Sequence, residues 1–207
     1  MDIKVRIIGI VGSASKNGAT EFAMKIILDA ANKMGATTEL IHLRDYDLPI
    51  AVRYSKDEMP ERQKQALEKF QSKFLNTEGI ILGSPEYHGS MSGVLKNAID
   101  NLGFDQFKGK IIGLLGVSGG EMGATNTLNH LRLVGRNLHA WVIPKQVSIG
   151  KARDKFDSEG NCLDDKIEGR LRELGEEVAK FSFLHNSKKI SEFVDLWMGS
   201  QENPGGD

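Results

Sequence analysis

Cysteine is nearly missing from this 207-residue chain, with Cys162 its only example. One thiol cannot close an internal disulfide or build a cysteine metal cluster within the chain, and both exclusions fit a reducing compartment. An excess of either charge is missing as well: 27 Lys and Arg stand against 28 Asp and Glu, a formal net charge of -1. No overall field would therefore gather nucleic acid or an anionic membrane surface. Long apolar runs are absent, since no window approaches the roughly 20 residues of a membrane-spanning helix. The opening MDIKVRIIGIVGS has no apolar stretch followed by a small-residue cleavage site. His42, His130, His139 and His185 show no metal-ligand spacing, so no metal is expected. These absences describe a soluble, cytoplasmic protein of one domain over residues 1–186, with a short, partly flexible extension over 187–207.

What is there alternates. Residues 3–11, IKVRIIGIV, pass from alternating to continuously apolar, as a strand covered on both faces requires. Phe22, Ala23, Ile26, Ile27, Ala30, Ala31 and Met34 then recur at helical spacing, with Gly35 placed as a stop. TTELIHL reads as a second strand, and ERQKQALEKFQSKFLNT as a helix with Ala66, Leu67, Phe70, Phe74 and Leu75 inward. EGIILGS is a third strand, followed by a helix with Val94, Leu95, Ala98, Ile99 and Leu102 as its buried stripe. KIIGLLGVS is a fourth strand, ATNTLNHLRLVGRNL a helix, and AWVIPKQVSI a fifth strand. KARDKFDSEGNCLDD is a polar loop before the closing helix KIEGRLRELGEEVAKFSFLHN, which two glycines weaken locally, and SEFVDLW adds a short amphipathic turn. Pro144 favours an edge position for the fifth strand, because proline has no N–H for a central ladder. Five short strands alternating with helices predict an α/β three-layer sandwich: a five-stranded parallel sheet of order 2-1-3-4-5 with helices on both faces. Right-handed crossovers place every strand-to-helix loop on one edge, where such sheets bind ligands.

Three of those loops carry unusual residues. GSASKNGAT opens onto a helix start, whose unsatisfied N–H groups and positive dipole end favour an anion such as phosphate. It matches neither G-x-x-x-x-G-K-[ST] nor G-x-G-x-x-G, which weakens ATP hydrolysis and ordinary dinucleotide binding as readings. A cradle of hydroxyls and backbone N–H groups remains, although Ser and Thr also cap helices that bind nothing. SPEYHGS, after the third strand, combines a stiff exit with backbone N–H groups suited to the polar edge of a planar ring; an aromatic packed over a plain loop fits it too. In VSGGEMGA, Gly119, Gly120 and Gly123 let a backbone lie flat against a ligand, or serve a tight turn. One loop suited to phosphate and two suited to a planar heterocycle, on one sheet edge, point together to flavin mononucleotide (FMN).

The stretch GSPEYHGSMSGVLKNAIDNL resembles the Pro-Glu-Tyr-Asn-Gly-Ser segment, followed by Leu-Lys-Asn-Ala, of the NADPH-dependent FMN reductases. That flavodoxin-like family includes quinone, chromate and azo-compound reductases. His88 stands where Asn is common, and Ser15 where Arg is often found. The resemblance implies FMN, with NAD(P)H as co-substrate and a quinone, free flavin, azo compound or metal oxyanion as acceptor. Position by position it implies phosphate contacts from Ser13, Ser15, Asn17, Ala19 and Thr20, a ring lined by Pro85, Glu86, Tyr87, His88 and Gly89, and a second edge closed by Ser118, Gly119, Gly120 and Glu121. It also implies a homodimer or homotetramer.

Flavin N5 would carry the hydride chemistry, so no catalytic side chain is expected. Glu86 is expected to brace its loop as much as to bind. Lys96 and Asp100 read as a solvated ion pair, Cys162 as a thiol beside acidic neighbours and not a nucleophile, and Arg53 and Lys56 as candidates for the NADPH 2′-phosphate. The alternative reading is a flavodoxin-like electron carrier without a pyridine-nucleotide site, although such carriers are usually strongly acidic. His88 is a candidate for tuning the flavin through a proton or a positive charge. His88→Ala is therefore expected to lower the midpoint potential of bound FMN in a redox titration; an unchanged potential and pH profile would remove the imidazole from the chemistry.

Overall fold

The structure, a computed structural model, describes residues 4–51, 59–187, 191–192 and 194–196. The strands are β1 (Arg6–Val11), β2 (Thr37–His42), β3 (Gly79–Tyr87), β4 (Ser90–Met91), β5 (Ile111–Val117) and β6 (Trp141–Ile149). The helices are α1 (Ala19–Lys33), α2 (Glu61–Ser72), α3 (Gly93–Asp100), α4 (Phe104–Phe107), α5 (Thr125–Asn137) and α6 (Asp165–His185). The long strands pair in parallel in the order β2-β1-β3-β5-β6, which is the expected 2-1-3-4-5 order counted over long strands.

The expected count of five strands is corrected to six. The third strand does not stop at Ser84 but runs on to Tyr87, and β4 folds back against it with Glu86 opposite Met91 and Tyr87 opposite Ser90. The two residues between them, His88 and Gly89, have φ values of 51° and 75°. Positive φ at both central positions is the primed-turn geometry of a tight hairpin. Pro144 lies on the edge strand as expected, where the β5–β6 register shifts between Ile112 and Leu114.

Alternation within each strand builds two cores. Ile7, Val11, Ile81 and Leu115 pack with Phe22, Ala23 and Ile27 of α1 and Leu171, Leu174 and Val178 of α6. Ile8, Ile10, Ile80, Leu82 and Leu114 pack with Phe70 of α2, Leu95 and Ile99 of α3, and Leu128 and Leu131 of α5. Successive strand side chains point to opposite faces, so a sheet covered twice needs apolar residues at every position.

Three expected core residues are instead exposed: Met34 (48%), Leu75 (65%) and Val94 (43%). Met34 is the C-cap of α1, Leu75 lies beyond the end of α2, and Val94 sits in the first turn of α3, so each escapes the buried stripe at a helix end. The loop expected to be polar after β6 buries Ala152 and Phe156, with the Phe156 ring 5.9 Å from that of Phe22. Of the SEFVDLW stretch, the described residues are helical and exposed.

The two glycines of α6 have different reasons. A Cβ on Gly175 would collide with the carbonyl oxygen of Ile27, so α1 and α6 cross where only glycine fits; a Cβ on Gly169 would meet nothing within 4 Å. Gly175→Ala is expected to destabilise the fold by about 1–3 kcal/mol through overpacking. Gly169→Ala should stabilise it by up to about 1 kcal/mol through helix propensity. Urea unfolding of the pair checks both signs.

Candidate functional site

The strand register decides where the loops fall. Val11 pairs with His42 on one side and Gly83 on the other, and Pro85 pairs with Val117. The chain therefore leaves β1, β3 and β5 on one edge of the sheet, and side chains then tie the three exits together.

Ser92 joins the first exit to the second. Its buried hydroxyl donates to the Gly12 carbonyl at 2.6 Å and accepts from the Leu95 N–H at 3.1 Å, capping α3. Its own N–H donates to Ser84 Oγ at 2.9 Å, and the Gly12 N–H donates to the Gly83 carbonyl at 2.8 Å. Glu86 joins the second exit to the third: its carboxylate accepts from the Thr127 N–H at 3.0 Å, serving the start of α5, where Ala124 offers no side-chain cap. Ser90 Oγ lies 2.9 Å from His130 Nδ1 across the same contact.

Within the first loop, Ser13 is buried, and its Oγ accepts from the Ser15 N–H at 3.3 Å. Asn17 is left-handed at φ 51°, Thr20 is buried, and Gly18 caps α1 with no side-chain bond. Among the described residues, no protein acceptor meets the N–H groups of Gly18, Ala19 or Thr20. A long helix start with free N–H groups and adjacent hydroxyls is a donor set for an anion.

Glu21, in the first turn of that helix, is buried. Burial pushes its carboxyl upward and is the strongest single effect. The Lys25 hydrogen bond, the His42 charge and the Arg44 hydrogen bond together outweigh it and hold the carboxyl below its ordinary value. Its charge thus supports the fold above the ordinary carboxylate range, and the support fades as pH falls through the depressed value.

The second loop presents Tyr87 and His88 to solvent at the hairpin tip. In the third, Ser118 is pinned by its N–H donating to the Ile149 carbonyl at 2.8 Å and its carbonyl accepting from the Ala152 N–H at 3.0 Å. Gly123 is required by the fold, because its φ is 72° and a Cβ there would strike Ser148 Oγ. Gly119 is different: a Cβ would meet nothing within 4 Å, so its bare backbone borders open space. Glu121 is exposed and ion-paired to Lys151 at 2.7 Å.

The structure thus brings the three loops together and gives some of their residues other partners. Glu86 braces α5, and Glu121 reaches away to Lys151. Lys96 and Asp100 form the exposed ion pair expected of them, at 2.7 Å. Cys162 is half-buried and donates weakly to the Asp164 carbonyl. Arg53 and Lys56 lie outside the described residues. Sequence reasoning missed Ser84 as an acceptor, Arg44, and Asn97, whose side chain holds the Ala51 N–H at 2.9 Å and the Pro49 carbonyl at 3.0 Å. Only Ser92 carried a local signal, a serine preceding a helical stripe. An apolar cleft of about 430 Å³ beside Trp141, Pro144, Phe181 and Leu184 opens at the start of β6, at the far end of the sheet from these loops.

A doubly covered parallel sheet with its loops gathered at the switch point defines a flavodoxin-like α/β protein. An archaeal flavodoxin shares the fold at TM-score 0.58 and 15% identity, covering 86% of this chain and 99% of that one. Within that class the chain belongs to the NADPH-dependent FMN reductase family, whose profile matches residues 5–154. It is 30% identical over 180 residues to an FMN-dependent NADPH-azoreductase of Staphylococcus aureus (strain USA300), covering 86% of this chain and 94% of the relative. The flavoenzyme NAD(P)H:(acceptor) oxidoreductase FerB of Paracoccus denitrificans superposes with TM-score 0.71 at 21% identity, over 87% of this chain and 98% of that one. The free N–H groups of 18–20, the hydroxyls of Ser13, Ser15 and Thr20, and the unobstructed backbone at Gly119 fit the phosphate and flat ring of FMN.

Ser92→Ala removes the α3 cap and leaves the buried Gly12 carbonyl without its donor. It is expected to cost about 1–3 kcal/mol in urea unfolding, whereas replacing exposed Ser15 with Ala should stay within about 0.5 kcal/mol of the parent.

Proposed function

We propose that this chain is an NAD(P)H-dependent, FMN-containing reductase that delivers electrons to a small acceptor: a quinone, a free flavin, an azo compound or a metal oxyanion. FMN and reduced nicotinamide are the cofactor and donor of the family to which it belongs. The observation that supports the reading best is the joining of three strand exits by Gly12–Ser92 and Glu86–Thr127, which gathers a phosphate-type loop and two ring-type loops at one edge. The azoreductase relative makes an azo compound the first acceptor to try.

In this reading Ser13, Ser15, Asn17, Ala19 and Thr20 surround the phosphate. Pro85, Glu86, Tyr87, His88 and Gly89 form one edge of the ring seat, with Glu86 acting through its hold on α5. Ser118, Gly119, Gly120 and Glu121 form the other edge, chiefly by backbone. FMN held there would supply a two-electron centre able to accept a hydride equivalent from reduced nicotinamide and pass two electrons to the acceptor, with protons exchanged with solvent. The chain's part is to hold that centre by rigid loops, keep one face accessible, and set donors where negative charge grows. In this reading His88, exposed at the hairpin tip, would tune the flavin through its ring nitrogens.

Residues 1–186 would act as one FMN-binding unit, with 187–207 as an extension. By the family resemblance, the chain would assemble as a homodimer or homotetramer. Among the described residues no helix is long and apolar enough to cross a membrane, and the lone cysteine fits the cytoplasm.

Stopped-flow mixing of the FMN-loaded protein with NADPH tests the reading. Rapid bleaching of the flavin absorbance, with recovery on adding a quinone or azo dye, is the expected result. Flavin that stays yellow under excess NADPH and NADH would instead indicate an electron carrier.

A further inference from the structure

The phosphate-type loop is held from the side by a neighbouring strand. Because Val11 pairs with His42, the turn after β2 comes out beside the loop after β1. Arg44, in that turn, donates from Nη1 to the Ser15 carbonyl at 2.7 Å, and from both terminal nitrogens to Glu21 Oε2 at 3.2 Å. The same carboxylate oxygen accepts the Asn17 N–H at 3.2 Å, while Oε1 takes Lys25 at 2.9 Å. His42 Nδ1 lies 3.8 Å from it, buried and with no hydrogen-bond partner.

A carboxylate this buried is costly unless paired. An acid that merely favoured the helix dipole would serve as well exposed. Here Glu21 and Arg44 act on two backbone groups of the loop, the Ser15 carbonyl and the Asn17 N–H, on either side of Lys16. A loop that grips phosphate by N–H groups must keep its carbonyls turned away from the anion, since a carbonyl oxygen facing it would repel. The guanidinium fixes the Ser15 carbonyl, and the carboxylate fixes Asn17 in its left-handed conformation. The next three N–H groups, of Gly18, Ala19 and Thr20, then have no protein acceptor among the described residues. Glu21 and Asp45 together balance Lys25 and Arg44, so the cluster acts on the loop through geometry and adds no net charge.

We infer that Arg44 and Glu21 are positioning residues for the phosphate end of the flavin: a clasp that shapes the 15–20 loop for a phosphate monoester and so makes the protein prefer FMN to riboflavin. The inference rests on the FMN reading above. The clasp touches the loop backbone at the Ser15 carbonyl and at the Asn17 N–H, and neither contact reaches the ring-type loops. Its loss should therefore weaken recognition of the phosphate and spare recognition of the ring.

The test measures the dissociation constants of FMN and riboflavin by isothermal titration for the parent chain and for Arg44→Ala, Arg44→Lys and Glu21→Gln. The parent should prefer FMN. Arg44→Ala and Glu21→Gln should weaken FMN by at least about tenfold, roughly 1.4 kcal/mol, with riboflavin within about twofold of the parent. Arg44→Lys, which keeps a charge but not the fork, should fall between. Riboflavin binding also certifies that each variant is folded, and Glu21→Gln, which conserves side-chain volume, serves if Arg44→Ala does not fold. An FMN-to-riboflavin preference unchanged from the parent, or both ligands weakened alike, overturns the clasp while leaving the FMN site standing. A parent chain that refuses FMN at saturating concentration overturns the site itself.

Discussion

The buried hydroxyl of Ser92 is the point on which the site depends. A serine hydroxyl carries one donor and two acceptor lone pairs. Here the donor goes to the Gly12 carbonyl and an acceptor to the Leu95 N–H. One side chain thereby fixes the exit of β1, the start of α3 and, through its own N–H on Ser84, the middle of β3. In a buried setting none of these groups has water as a substitute partner, so the three segments hold one arrangement. The loops beyond them inherit positions from that junction, the first and third without a strand or helix of their own and the second as the β3–β4 hairpin.

The same logic extends outward through charge. Glu86 lends a carboxylate to the unpartnered start of α5, and Glu21 lends one to the turn before α1. Each acid sits at a helix N-terminus, where negative charge is favoured, and each also links an element distant in sequence. The start of α5 is therefore capped from within the protein, whereas the N–H groups at the start of α1 meet no protein acceptor among the described residues. In the proposed reading this asymmetry separates a helix start that closes a loop from one that would receive the phosphate. At the opposite end of the sheet polar groups join strand to helix: Arg6 donates to Thr77 Oγ1 and to the Lys73 carbonyl, tying β1 to the end of α2.

Much of this architecture is legible in the sequence because burial on two faces forces continuous apolar strands, and no surface element imitates that pattern. Strand order and loop placement follow from handedness once the alternation is seen. What escaped was fixed by geometry without periodicity. The extension of β3 to Tyr87 and the two-residue β4 depend on His88 accepting a left-handed conformation, for which histidine gives only a weak signal. Met34 and Leu75 fit the helical spacing but fall where their helices end, so the pattern continued after the helix had stopped. Arg44 and Asn97 act across 29 and 46 residues of chain, and nothing in their neighbours announces their partners. The glycines of the third loop looked alike in sequence; only the structure separates Gly123, demanded by Ser148, from Gly119, which the packing leaves free.

That separation bears on how one fold serves many acceptors. Where a flat ring lies against backbone, as the open surface at Gly119 permits, its seat is set by strand ends and turns, and these change little when exposed side chains change. The side chains that do project at this edge, Tyr87, His88 and Met122, make few demands on the core, being exposed at loop tips. Substitution there can reshape what approaches the open face without loosening Ser92 or Glu86 beneath it. In the proposed reading, cofactor retention and acceptor choice would fall to different atoms, backbone and buried polar groups for the first and exposed side chains for the second. A relative can then keep the junction, and with it the flavin, while diverging in every residue that meets the acceptor.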